Sequence, residues 1–547
     1  MSDRGKRSML PTVTQIGLVV VLQLAFLIRF AGLDNKPLWK DEVYSLTRAA
    51  GYRIERTIAR ELHQQNVVAG DLAKYLDPAN TPRSWNETWV ALKSKPEHPP
   101  LYFLLLRGFV SEFQSNPEAR IFSVTTGAFA VVAIWSLGWT LFRRESAGWG
   151  AVMLAVASPV LLRYSQEIRH YGLWLLFGIL ATICLLKALD RDSNKGWWRQ
   201  YGWYLTLAGA THLLTASLAI VHGAIVAIST RAAATRDRRR AWRSWLTCIA
   251  IAASIVAPWP LMALGKEDYL RKPAAYARFA ETSPRELVSA WLQRSAEAVV
   301  FLPDRLPSGV ALLVAAGVVT LSLASAVWLW RSGERRAVAA AGCLTLIPFL
   351  LVAVPDVLLG GARSMIPRYF LLSFVGAIVL LGGALGRVFD RANVLQRSAI
   401  AIVLAILCLS NVVGYSSRES WEPEPFRTVE FAQAIAQQSD VTLVSDAPLA
   451  ELLTIAPQLP PEYPLIWIDT DRPIDLALPD TDLLIHSRDN DDLDTLIQQQ
   501  LRQQLHKTTP PQKTPEDRKI FERDDYVLWK LSQSDIDETD RRLTGQP

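Results

Sequence analysis

The chain has 547 residues, 50% of them apolar, and its 19 tryptophans are many for a soluble enzyme. The formal charge of +6 conceals a division: from Ser416 onward the net is −13, and the part before it carries +19. The basic excess sits in short runs between long apolar segments, which points away from nucleic acid and towards the flanks of membrane spans. The four cysteines, Cys184, Cys248, Cys343 and Cys408, all lie in apolar segments. None has metal-ligand spacing, so a disulfide framework or zinc cluster is not expected, and small buried residues are.

Taken in chain order, Arg4, Lys6 and Arg7 precede an apolar run over 13–33. The run is too long for a signal-peptide core and lacks a small-residue cleavage site, so an uncleaved first span is expected. The next 34–119 reads as a long outer loop. Within it, 99–110 is too short to span and reads as a helix on the outer leaflet. Further spans are expected over 120–142, 147–163, 170–188, 198–211, 213–230, 244–264, 308–330, 337–355, 368–388 and 397–415, most near the length that crosses a bilayer, with 198–211 short. The pair 198–211 and 213–230 could also be one kinked helix.

Loop charge decides that pair. With the N-terminus inside, every inner loop is basic: Arg143-Arg144, 187–199, 231–243, 331–336 and 387–397. Merging the pair would invert all later loops and break the positive-inside pattern. The expectation is therefore a mainly α, polytopic transmembrane bundle of eleven spans, N-terminus in and C-terminus out, with outer loops 34–119 and 265–307. Residues 1–415 form that domain. Residues 416–547 read as a small acidic extracytoplasmic α/β domain. Its strands are expected at 441–445, 465–468, 483–486 and 526–529 and its helices at 427–438 and 491–505, with a proline-rich linker at 508–517.

Several polar clusters could carry chemistry. Asp41 and Glu42, in Leu38-Trp39-Lys40-Asp41-Glu42-Val43-Tyr44-Ser45, could serve as a base and its partner, because a sugar hydroxyl needs a positioned carboxylate to accept its proton. The plainer reading is a pair of acids stabilised by a helix N-terminus. Glu97-His98-Pro99-Pro100-Leu101-Tyr102-Phe103 places a histidine before a diproline that starts a helix. His98 could orient a substrate or a carboxylate, or could simply cap. Tyr164-Ser165-Gln166-Glu167-Ile168-Arg169-His170-Tyr171 puts a dense polar set at a span boundary, where ionisable groups face a cavity or pair with each other, as Glu167 could with Arg169 or Arg368. Pro367-Arg368-Tyr369 offers an arginine that could grip a phosphate or anchor a span end. Arg29 near the end of the first span could join it. Thr211-His212 reads more readily as packing than as a site. The charge-derived topology places all of these on one membrane face.

These residues resemble the GT-C superfamily of glycosyltransferases, and more closely the glycosyltransferase family 39 and protein O-mannosyltransferase-like group, which includes bacterial lipid A aminoarabinose transferases. The pieces that match are Arg29-Phe30-Ala31-Gly32-Leu33, Leu38-Trp39-Lys40-Asp41-Glu42, His98-Pro99-Pro100-Leu101-Tyr102, Arg120-Ile121-Phe122-Ser123, Ser165 to Tyr171, Thr211-His212 and Pro367-Arg368-Tyr369. They occur in order over about 1–415. Lys40 departs from relatives with a small or neutral residue there.

The resemblance implies a polyprenyl-phosphate sugar donor, a lipid, glycan or protein acceptor, and catalysis at the outer face of the bacterial plasma membrane. It makes Asp41 the base and Glu167 a second acidic position. The polyprenyl phosphate leaves as a stable anion, so the reaction needs a base and a cation rather than a strong acid. Asp41, Glu42 and Glu167 are then the catalytic set. Arg29, His98, Tyr102, Arg169, Tyr171, His212, Arg368 and Tyr369 are the substrate-binding set. No cofactor is required, and a divalent metal is admitted without being demanded. The rival functions are a transporter or flippase of lipid-linked sugars and a membrane scaffold whose acidic tail binds a partner.

Overall fold

The computed structural model describes residues 12–33, 36–113, 117–190, 196–264, 282–303, 306–416, 423–438, 441–469, 482–488, 519–523 and 526–531. It is mainly α and divides into two compact units. One comprises Met1–Leu33, Lys95–Phe109 and Pro117–Ser420; the other comprises Asp34–Ser94, Val110–Asn116 and Trp421–Pro547.

In the first unit, each of the eleven segments expected to span is helical. Among the described residues, seven helices are long and apolar enough to cross a membrane, or up to eight if a bent pair counts as one span. That pair is Glu145–Val156 and Pro159–Gln166, bent by 61°. Pro159 lacks a backbone N–H and disfavours helical geometry at Ser158, so the break falls at 157–158. The pair that loop charge keeps as two is two helices, Gly196–Thr211 and Thr215–Thr230, separated by 212–214.

Close packing relies on absent side chains. Gly150 and Gly382 face each other where helices Glu145–Val156 and Leu371–Arg391 cross, and a Cβ on either would strike the opposite backbone. In a lipid environment such close backbone approach supplies van der Waals attraction that hydrophobic burial cannot. A buried polar node lies among helices Tyr171–Ala188, Gly196–Thr211 and Thr215–Thr230. His222 Nε2 is 2.9 Å from Thr182 Oγ1, and His222 Nδ1 is 3.2 Å from the Tyr201 hydroxyl.

The second unit contains a six-stranded sheet. Its strands are β1 (Asn66–Val68), β2 (Val441–Ser445), β3 (Pro464–Trp467), β4 (Asp482–Arg488), β5 (Lys519–Arg523) and β6 (Tyr526–Leu531), in the order β1-β3-β2-β4-β6-β5. β2 runs parallel to β3 and to β4; the other pairs are antiparallel. β2 is buried along its whole length, as a central parallel strand should be. Helix Leu449–Ile455 lies in the connection from β2 to β3. The four expected strands are present, and helix Pro423–Ala436 covers most of the helix expected at 427–438. The expected helix 491–505 and linker 508–517 lie outside the described residues.

In the tail the second unit begins at Trp421, close to the expected boundary at 415/416, but the unit is not made of the tail alone. Much of the first long loop belongs with the acidic tail. β1 pairs with β3, Gln64 N donates to Trp467 O at 2.9 Å, and Asp469 N donates to His63 Nδ1 at 3.1 Å. A three-residue strand carries no readable periodicity, which is why the sequence does not announce this pairing.

Candidate active site

The Trp-Lys-Asp-Glu motif opens helix Lys40–Ala49 of the second unit, with Trp39 extended at its N-cap. Glu42 turns back, and its Oε2 accepts the Trp39 N–H at 3.2 Å. This satisfies a backbone donor and sets a carboxylate at the positive end of the helix dipole. Glu42 is fully buried, while Asp41 is only half-buried. Neighbouring helical residues point about 100° apart, so the pair is split: one acid secures the helix start and the other stands at its edge. Lys40 Nζ meets Glu451 Oε1 of helix Leu449–Ile455 at 2.6 Å.

The remaining candidates belong to the first unit, and three elements bring several of them together. Helix Pro159–Gln166 ends at Glu167, and helix Tyr171–Ala188 begins with His170 as its N-cap, so the tight connection carries the whole Glu167–Tyr171 motif. Arg169 Nη2 lies 2.9 Å from His98 Nε2. A guanidinium can only donate, so this imidazole nitrogen accepts. The His98 carbonyl in turn accepts from Trp259 Nε1 at 2.7 Å.

The rings of His98, His170 and His212 form a triangle with centroid separations of 4.7, 5.9 and 4.3 Å. Trp174 lies 5.3 Å from His212, and Tyr171 4.7 Å from His170. His212 sits in the hairpin 212–214, where Leu214 N donates to its Nδ1 at 3.1 Å. Burial holds its pKa down to about 3, and the nearby charges of Arg169 and Arg368 act in the same direction. Arg368 therefore shares the neighbourhood of this cluster; it also lies over the Tyr369 ring at 5.6 Å. The ensemble is a partly buried, cationic, aromatic-rich set suited to an anion with attached hydroxyls.

Glu167 is buried and its Oε1 is 3.5 Å from Arg163 Nε, one helical turn back. Tyr102 is fully buried, with its hydroxyl 2.7 Å from Ser123 Oγ and its ring 6.2 Å from His170. Arg29 is placed differently: it is fully buried, and its guanidinium donates to backbone carbonyls, with Nη1 at 2.8 Å from Val156 O. Among the described residues, no group of three or more His, Cys, Asp or Glu side chains is arranged to hold a metal ion. His170, Arg163, Trp174 and Trp259 belong to the assembly although sequence reasoning assigned them no role. His170 sits inside a motif already singled out; the tryptophans gave no signal among 19 of their kind.

A family described as dolichyl-phosphate-mannose-protein mannosyltransferase matches residues 97–261, the stretch that carries His98, Glu167, Arg169, His170 and His212. No curated protein matches the chain by sequence. Among solved structures, ArnT from Cupriavidus metallidurans in the apo state is similar with a TM-score of 0.54 and 13% identity, covering 96% of this chain and 99% of that one. ArnT from Cupriavidus metallidurans bound to undecaprenyl phosphate is similar with a TM-score of 0.53 and 14% identity, covering 95% and 98%. The chain has the GT-C glycosyltransferase fold. With this fold and its multiple apolar helices it is an integral membrane protein.

Proposed function

We propose that this GT-C protein transfers a sugar from a polyprenyl-phosphate carrier to an acceptor hydroxyl at the outer face of the bacterial plasma membrane. The observation that carries the reading is the partly buried cluster of Arg169, His98, His170 and His212 with Arg368 nearby, in a fold shared with a protein that binds undecaprenyl phosphate. A membrane-embedded enzyme suits a donor whose isoprenoid chain cannot leave the bilayer.

Asp41 is the base that takes the acceptor's proton as the acceptor oxygen attacks the anomeric carbon. Arg368 and Arg169 bind the departing phosphate and stabilise the charge that develops on it. His98, held by Arg169, and Tyr171 and Tyr369 orient the donor. Glu167 tunes the local field with Arg163. Glu42 secures the helix start behind Asp41.

The test is Asp41→Asn, assayed for sugar transfer from a polyprenyl-phosphate donor in membranes. Loss of a general base lowers turnover by about 100-fold or more, and thermal unfolding of the purified variant should match the parent. Unchanged transfer would sink the role of Asp41. Mass spectrometry of surface glycans and glycolipids with and without the protein identifies the product.

A further inference from the structure

The break between helices Glu145–Val156 and Pro159–Gln166 exposes carbonyls that have no partner within a helix. They lie within a membrane-embedded bundle, where water is scarce and an orphan carbonyl is costly. Two side chains from opposite ends of the membrane domain reach them. From the first span, Arg29 Nη1 donates to Val156 O at 2.8 Å, and Nη2 lies 3.4 Å from Ala155 O. From the last span, Asn411 Nδ2 donates to Ala157 O at 3.1 Å and to Val299 O at 2.7 Å, while its Oδ1 accepts from Phe301 N at 2.9 Å. The carbonyls of Val156 and Ala157 at the break are thereby satisfied, and that of Ala155 also accepts the Ser158 N–H at 3.4 Å.

The short helix beyond the break is held at both ends. At its start, Val160 N donates to Glu297 O at 3.2 Å. At its end, Gln166 Nε2 donates to the backbone carbonyl of Arg29 at 2.7 Å and lies 3.2 Å from Ala31 O. Residue 29 thus touches the carbonyls before this helix with its side chain and the last residue of the helix with its main chain. Among the described residues the Arg29 guanidinium meets carbonyls rather than a carboxylate. The negative end of helix Glu145–Val156 offsets its buried charge. Asn411 is 3% exposed, and both its nitrogen and its oxygen are engaged.

We propose that Arg29 and Asn411 are positioning residues that clamp the 157–158 break and so fix the short helix presenting Glu167, Arg169 and His170. The clamp assigns Arg29 a mechanical task in place of the phosphate contact its position in the sequence suggests. Its consequence for sugar transfer rests on the proposed function; its consequence for the short helix does not.

Hydrogen–deuterium exchange on the full-length protein in nanodiscs tests the clamp independently of activity. Arg29→Met and Asn411→Leu should each speed exchange over 159–171 by about tenfold or more, the factor that corresponds to a loss of about 1.4 kcal/mol, while 371–391 keeps its parental rate. Arg29→Lys, which retains a donor, should fall between. If the apolar variants do not fold, Arg29→Lys and Asn411→Ser carry the same comparison.

Undecaprenyl phosphate, used as the probe, should bind all variants within twofold of the parent. Transfer turnover should fall in Arg29→Met and Asn411→Leu together, with the donor KM little changed. Weakened binding of the probe to the Arg29 variants alone, with parental exchange over 159–171, would overturn the clamp in favour of a phosphate contact. Parental exchange in all variants also overturns it. Loss of the clamp signature and failure of Asp41→Asn to abolish transfer are separate outcomes, so each reading fails on its own measurement.

Discussion

Lys40 and Glu451 are 411 residues apart in the chain, yet Nζ and Oε1 meet at 2.6 Å. The contact joins the residue next to Asp41 to a helix of the acidic tail. It also gives Lys40 a structural partner. With side chains 39% and 24% exposed, the pair is partly solvated. Its coupling should be about 0.5–1 kcal/mol at low salt and less at high salt. A double-mutant cycle with Lys40→Met and Glu451→Gln, read by thermal unfolding, measures it. Exchanging the charges, Lys40→Glu with Glu451→Lys, should recover most of what either reversal loses alone. Strict additivity of the single variants would show that the contact does not bind tail to motif.

A second prediction concerns the seat of the Glu167–Tyr171 motif. Gly127, in helix Pro117–Phe142, lies so close to Ser165 that an added Cβ would overlap the serine Cβ. Overpacking of a rigid site costs about 1–3 kcal/mol. Gly127→Ala should therefore lower the unfolding temperature and reduce sugar transfer, because relief requires moving the short helix that leads into Glu167. Ser165→Gly removes the colliding atom. The double variant should be more stable than Gly127→Ala alone; if it is not, the two residues are not in the contact described.

These relationships mark what the sequence can and cannot announce. The apolar segments and the basic loops located the helices, because membrane spans are written in length and charge. Val441 to Ser445 was legible as a buried strand from its short run rich in the β-branched Val441, Thr442 and Val444. The association of 34–94 with the tail was not legible, since it depends on β1, three residues long, and on backbone bonds such as Gln64 to Trp467. Within the candidate site, Arg169 and His212 were visible as polar residues at span ends and His98 as one before the diproline of the outer loop, but their convergence is tertiary. Arg29 shows the opposite case. A cation near a span end has the same signature whether it binds a phosphate or a row of carbonyls, and only its partners distinguish the two.

The buried node at His222 should contribute to stability without touching the site. Thr182 Oγ1 donates to Gly178 O at 2.8 Å, so its oxygen accepts from His222 Nε2–H. His222 Nδ1 is then left to accept from the Tyr201 hydroxyl. His222→Leu withdraws a partner from two buried hydroxyls and should cost about 1–3 kcal/mol. Tyr201→Phe should cost clearly less in the His222→Leu background than in the parent. Equal costs in both backgrounds, measured by unfolding in detergent, would mean that the tyrosine and histidine are not coupled.

The last prediction is a pH dependence that His212 imposes on stability. Its folded pKa is held down to about 3, chiefly by burial and then by the charges of Arg169 and Arg368, against an ordinary value of 6.5. Between these values the unfolded chain takes up a proton at this residue and the folded chain does not. Stability from this group is therefore fully present above about pH 6.5 and is lost as pH falls towards 3. One proton sets a limiting slope of about 1.4 kcal/mol per pH unit. His212 keeps some solvent contact in the hairpin, so the observed slope should be smaller. In His212→Gln, which cannot titrate, the fall in unfolding temperature between pH 7 and pH 5 should be shallower than in the parent. Parallel curves would place the acid sensitivity elsewhere, since a residue held neutral by its surroundings must reveal itself when the unfolded state gains the proton.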